Sequence, residues 1–134
     1  MLANLNYVHI LVAALVYFVL GAVWYSLLFQ KTWMSLVGVK MDPENKPSMG
    51  LMFGTTFVLN FITAMATACV IYFVQPPNIL VALKAGAMLG VGYVGTSTAM
   101  NNMYAMRPVK LTLIDASYHI VSICLVSVIL TLWH

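Results

Sequence analysis

The stretch TLIDASYHIVSI, residues 112–123, sets a carboxyl and an imidazole four residues apart in a run otherwise fit for lipid. Residues three or four apart on an α-helix share a face. Asp115, Tyr118, His119 and Ser122 therefore line one stripe, and Val126 and Trp133 extend it. A carboxyl and an imidazole on one face can relay protons as a coupled pair, or hold a cation. They can equally serve as hydrogen-bonding fasteners between helices. Ionisable groups inside a membrane mark functional sites by default. Even so, a small bundle needs polar ties, and the fastener is the favoured reading, with Asn60, Ser97 and Asn101 as the expected partners.

The element that carries this stripe must be a spanning helix. Of the 134 residues 63% are hydrophobic and 7% charged, against about 25% charged in soluble domains. A water-facing surface cannot be built from that inventory. A spanning helix needs about 20 mostly apolar residues. Four runs qualify, at about 7–29, 49–74, 79–105 and 109–133. The expected fold is all-α: one integral membrane domain over residues 1–134, built as a four-helix bundle. QKTWMSLVG, after the first span, reads as a short amphipathic helix lying on the membrane surface and stopped by Gly38. Asp42-Pro43 marks a turn, and Ser48 is placed to cap the second span.

Insertion of the last span tolerates its aspartate. An Asp at a helix centre costs about 2.5–3.5 kcal/mol, and about a dozen Leu, Ile and Val return roughly 0.3–0.6 each. At 1.5 Å per residue Asp115 lies roughly 9 Å from Val109 and His119 roughly 15 Å. His119 is thus expected near the midplane, with Asp115 nearer the end that carries Arg107 and Lys110. The stripe must face protein, because hydrocarbon satisfies neither group.

Other features of the second and third spans concern packing. Thr56, Asn60, Thr63 and Thr67 form a polar stripe on the second span. Gly86 and Gly90, with Gly92 and Gly95, let another backbone approach the third, within the chain or across a homodimer. Short turns at Pro76-Pro77 and Arg107-Pro108 make the last three spans expected antiparallel neighbours. Trp24, Tyr25 and Trp33 suit an aromatic belt at the membrane surface. Cys69 and Cys124 read as inert buried thiols. Met100, Met103 and Met106 have a spacing open to Cu(I), but ten methionines in so apolar a chain make gap-filling the better reading. No metal or other cofactor is expected.

Charge sets the orientation. Lys31, Lys40, Lys46, Arg107 and Lys110 fall on one side and Lys84 on the other. By the positive-inside rule the first and third connections are cytoplasmic and both chain ends lie outside. With no basic residue before Tyr7 and no small-residue cleavage site, the first apolar run is expected to remain as a span. The net charge of +3 is spread over connections, without the aromatic interleaving of a nucleic-acid surface. No nucleophile elbow, phosphate loop or metalloprotease helix is present in the sequence. The chain is therefore expected to be non-enzymatic, with membrane lipid and a second copy of itself as partners.

LGAVWYSLLFQKTWMSLVG and MRPVKLTLIDASYHIVSICLVSVILTLW together resemble the small bacterial membrane proteins grouped as domain of unknown function 1761. In that family a Gly-x-x-Trp-Tyr-Ser run closes the first helix and a Phe-Gly-Lys-x-Trp stretch follows. Gly21, Trp24, Tyr25, Ser26, Phe29, Lys31 and Trp33 fill those places, and Gln30 stands where the family has glycine. Arg107, Pro108, Ser117, Tyr118 and Trp133 match the family's last part. The resemblance implies a multi-pass protein of the bacterial inner membrane. It implies no activity, and three readings stay open: an assembly device, a small proton or cation permease using Asp115 and His119, and a binder of lipid or another apolar ligand.

Overall fold

The computed structural model describes residues 2–37 and 48–133, without the side chains of Val37 and Met49. Gly38, Lys40, the Asp42-Pro43 turn and Lys46 lie outside the described residues. Helix α1 (Tyr7–Val23) begins at Asn6, whose side chain accepts from the backbone of Val8 and His9. It continues as a π-helical turn, Trp24–Leu28. The short helix α2 (Gln30–Val37) follows. Helix α3 (Met49–Val74) is capped by Ser48 as expected, with Leu51 N–H donating to Oγ at 3.1 Å. It stops at Gln75, which takes the left-handed conformation just before the two prolines. Helix α4 (Ile79–Leu89) starts on the Asn78 side chain, loosens into a π-helical turn over Gly90–Gly95, and resumes as α5 (Thr96–Tyr104). Helix α6 (Val109–Leu132) closes the bundle.

Four stretches are long and apolar enough to cross a membrane: Tyr7–Leu28, Gly50–Val74, Ile79–Tyr104 and Val109–Leu132. They alternate in direction, and α6 is the central member, packing on α1, α3 and α4. The core explains why. Ile10, Ala13, Ala14 and Tyr17 of α1 meet Ala64, Ala68 and Ile71 of α3 and Tyr118, Ile123, Val126 and Leu130 of α6. Alanines at the α1 crossing let helix axes come close, and close packing is the main attraction between helices in lipid.

Glycine does the same for the third span. A Cβ on Gly86 would sit 2.8 Å from the Cys124 Cα, and one on Gly90 2.9 Å from the Ile120 Cα. These two residues therefore seat α4 against α6. Gly92 and Gly95 do not act as expected: Gly92 faces open space, and Gly95 would meet α6 only at an ordinary 3.6 Å. Gly92 lies two residues from Gly90 and so on the opposite side of the helix.

The three last spans are not all mutual neighbours. Helix α4 is drawn to α6 by its glycines, and α3 is drawn to α1, where Phe18 meets Phe53 and Phe57 edge-on at 6.1 Å. Although one short turn joins them, α3 and α4 barely touch, and a cleft opens between α3 and the third span. The expected gap-filling by methionine is absent too: Met100, Met103 and Met106 are all exposed. Cys69 and Cys124 are half-buried rather than buried.

Candidate functional site

The site begins where α1 crosses α6. Tyr17 lies in mid-span among apolar neighbours, and a buried tyrosine hydroxyl needs a partner. It finds His119, with Oη and Nδ1 hydrogen-bonded at 2.5 Å. Two turns further along α1, the Tyr25 hydroxyl donates to Asp115 Oδ1 at 2.7 Å. Between them in register, Trp24 Nε1 donates to the Ile114 carbonyl at 3.2 Å. Tyr118 returns the favour from α6, donating to the Tyr17 carbonyl at 3.3 Å. These four bonds form a polar clasp from one helix to the other.

The acid and the imidazole thus face protein, but neither takes Asn60, Ser97 or Asn101, the partners expected, and they do not bond each other. Each takes its own tyrosine on α1. Asp115 turns to Tyr25 rather than toward Arg107 or Lys110, because a phenol within reach satisfies the carboxylate at that depth without moving a long cation inward. Ser122 spends its hydroxyl on its own helix, donating to the Tyr118 carbonyl at 2.7 Å.

The aromatic motif of the first span is explained by the same crossing. Trp24 and Tyr25 both reach inward to α6. The π-turn over Trp24–Leu28 inserts an extra residue per turn, which re-aims the side chains it carries. Tyr25 packs edge-on to Tyr118 at 5.2 Å and to Trp33 of α2 at 5.5 Å. Gly21 supplies the space: a Cβ there would stand 2.6 Å from the Tyr118 hydroxyl oxygen. Ser26 is exposed and joins none of these contacts.

The proposed partners of the stripe divide. Asn60 is buried beside Tyr118. Ser97 and Asn101 are both exposed, and Ser97 donates to its own helix at Tyr93 O, 2.6 Å away. The residue that faces α6 from that helix is Asn102, which donates to Thr112 Oγ1 at 3.0 Å. The π-turn over Gly90–Gly95 is the reason, since it shifts the following helical face by about one residue. Tyr17 and Asn102 were not singled out by sequence. A lone tyrosine in the middle of an apolar span is a signal that could have found the first. The phase shift that selects Asn102 has no such signal.

On the α3 side, the threonines of the polar stripe satisfy themselves. Thr56, Thr63 and Thr67 donate to Met52, Leu59 and Thr63 carbonyls at 2.8, 3.1 and 2.8 Å. Asn60 cannot do this with both amide hydrogens. Its Nδ2 is buried, with the Tyr118 hydroxyl as its one hydrogen-bond partner at most. An amide nitrogen carries two N–H donors, so one is left over. Asn60, Tyr17, Tyr118 and His119 together line the cleft between α3 and the third span, a space of about 240 Å³ with Thr56 and Leu59 on its exposed rim. Val94 of the second π-turn forms the opposite wall.

A bundle of four helices of spanning length, with Asp115 and His119 turned inward and tied, defines a multi-pass membrane protein. The chain belongs to the family described as protein of unknown function (DUF1761), which matches residues 8–131. Comparison with curated proteins and with solved structures gives no match. The match takes in both ends of the clasp, so Gly21, Trp24 and Tyr25 on one side and Tyr118 on the other meet in space.

Proposed function

We propose that this is a non-enzymatic inner-membrane protein that binds a lipid-like amphiphile in the cleft between α3 and the third span, with the α1–α6 clasp as its rigid wall. One observation carries the reading: the cleft holds a buried Asn60 amide short of partners beside the Tyr17–His119 pair. At that depth an unmade hydrogen bond costs about 1–3 kcal/mol, and lipid tails cannot make it. The polar part of an amphiphile can once the Asn60 side chain turns out of the wall, while its chain leaves between α3 and the second π-turn. A space of about 240 Å³ fits a head group or a chain segment rather than a whole lipid. The reading needs no second copy, since Gly86 and Gly90, the small residues expected at a dimer seam, are covered by α6.

The test is native mass spectrometry of protein extracted with its lipids. A stoichiometric adduct is expected on the wild type and is lost in Asn60→Leu, whose fold is kept because a buried amide gives way to an apolar side chain of similar volume. An adduct of equal occupancy on both proteins would refute the reading.

The two tyrosine-bonded ionisable groups favour proton relay as a second reading. Against it stands the layer of Ile10, Ala13, Ala14, Ile123 and Val126, all buried and apolar, between the clasp and the bundle end that holds the chain termini. A pH-driven flux in liposomes that Asp115→Asn abolishes would favour relay over binding.

A further inference from the structure

The bundle end opposite the chain termini gathers the cations. Lys31 of α2, Arg107 in the turn before α6 and Lys110 at the start of α6 all have exposed side chains. The pairing of α1 with α6 brings them to one end: Tyr17 meets His119 and Tyr25 meets Asp115, so the close of the first span lies beside the opening of the last. Trp33, two residues beyond Lys31, packs on Tyr25 at 5.5 Å. That contact holds α2 to the bundle, where it packs on α6.

The protein supplies these cations with no counterion of its own. Asp115 is the one described carboxyl. It sits about 7.5 Å deeper along α6 than Lys110 and accepts from Tyr25 at 2.7 Å. Among the described residues none forms an ion pair with Lys31, Arg107 or Lys110. The charge count of that side agrees. Lys31, Lys40, Lys46, Arg107 and Lys110 stand against Asp42 and Glu44. Were both carboxylates paired, three cations would still remain.

An unpaired cation at the edge of a bilayer attracts the anions of the leaflet it faces. Apolar surface lies beside the charges: Val109, between Arg107 and Lys110, is 75% exposed, and Leu28, three residues before Lys31, is 60% exposed. A partner with a phosphate and acyl chains fits that combination, and a free phosphate uses only half of it. Phosphatidylcholine brings its own cation beside its phosphate. Phosphatidylglycerol does not.

We propose that the α2 end of the bundle is a docking surface for anionic phospholipid, whose headgroup is held by Lys31, Arg107 and Lys110 together. The surface shares no residue with the cleft beside Asn60 and stands whether or not that cleft takes an occupant.

The test is quenching of tryptophan fluorescence in vesicles. The full chain carrying Trp133→Phe keeps Trp24 and Trp33, both at this end, as reporters. It is reconstituted into phosphatidylcholine, with a minor share of the lipid replaced by brominated phosphatidylglycerol or by brominated phosphatidylcholine. Bromine on the acyl chains quenches the tryptophans it touches, so the two curves compare the lipids at this surface. The anionic lipid is expected to quench at the lower mole fraction, and its advantage should shrink with salt. Lys31→Gln, Arg107→Gln and Lys110→Gln should each lower that preference about two- to fivefold, with helicity unchanged, and the triple variant should lose most of it. Lys31→Arg with Lys110→Arg should keep it. Lys84→Gln, the same loss of charge at the other end, should leave it unchanged. If the triple variant does not insert, the three single variants carry the comparison. The proposal is overturned if the two lipids quench alike in the parent chain, if the glutamine variants keep the parent's preference, or if Lys84→Gln lowers it as much as Lys110→Gln does. It is also overturned if glycerol phosphate in the buffer abolishes the preference at matched ionic strength, which would make the ligand a free phosphate.

Discussion

Gly21→Ala tests whether the clasp depends on the space this glycine leaves. The new Cβ would stand 2.6 Å from the Tyr118 hydroxyl oxygen and 3.1 Å from its Cζ. The hydroxyl is the end of a side chain, but not a mobile one. Tyr118 is 5% exposed, and its ring is boxed by Tyr17, Tyr25 and His119 at centroid distances of 5.5, 5.2 and 4.7 Å. Overpacking a fixed site costs about 1–3 kcal/mol, and 2.6 Å puts this case in the upper half. Alanine returns about 0.5–1 kcal/mol of helix propensity. The expected net loss is therefore about 1–2 kcal/mol.

Tyr118→Phe isolates the cause. It deletes the oxygen that clashes and gives up only a long 3.3 Å bond to the Tyr17 carbonyl, at less than about 1 kcal/mol. In that background the nearest atom to the alanine Cβ is Cζ at 3.1 Å, which is tight but no longer a clash. Gly21→Ala should then be close to neutral, and the double-mutant cycle should show a coupling of about 1–2 kcal/mol. Reversible unfolding by dodecyl sulfate in mixed micelles, followed by circular dichroism, gives the four stabilities. If Gly21→Ala costs the same in both backgrounds, the glycine is not there for the Tyr118 hydroxyl and the reasoning fails.

The same titration tests two further contacts. Tyr25→Phe leaves the Asp115 carboxyl without its 2.7 Å donor and should cost about 1–3 kcal/mol; Asp115→Asn keeps an accepting oxygen and should cost less, so the reverse order would show that the pair is not a fastener. Gly86→Ala drives a Cβ to 2.8 Å from the Cys124 Cα, a backbone atom that cannot step aside, and should cost at least about 2 kcal/mol. Gly92→Ala fills open space and should be neutral or slightly stabilising; equal effects at both glycines would mean that α4 does not seat on α6 as described.

Composition and length alone carry the four spans, because a bilayer demands about 20 apolar residues wherever a helix crosses it and little else satisfies that demand. The Ser48 cap and the stop before Pro76 were legible for a similar reason: each depends on its own few residues. The partners of the polar stripe were not. Ser97 and Asn101 lie at the spacing of an unbroken α-helix, and the π-turn over Gly90–Gly95 breaks that phase, bringing Asn102 to the interface instead. The inward bonds of Trp24 and Tyr25 were not legible either: position near a helix end suggested a belt at the membrane surface, and the π-turn over Trp24–Leu28 aims both at α6. Periodicity is a reliable guide only while the period holds.

Both π-turns adjoin the stretch of α6 that carries Asp115 and His119. Trp24–Leu28 brings Tyr25 to Asp115. Gly90–Gly95 lies against Ile120, next to His119, and contributes Val94 to the cleft. A π-turn leaves the regular hydrogen-bond ladder and is less favourable than the helix around it, so its survival at two places calls for a local return. Simple fastening accounts for the first, since the turn delivers the Asp115 bond. It does not account for the second, whose glycines after Gly90 make no tight contact with another helix. What the second turn does deliver is a wall: its Val94 lines the cleft together with Asn60 of α3. A bundle selected only to hold together would close that gap with an ordinary helix and an apolar residue at position 60. The combination of a loosened helix and an unsatisfied amide on facing walls is the arrangement expected of a space kept open for an occupant.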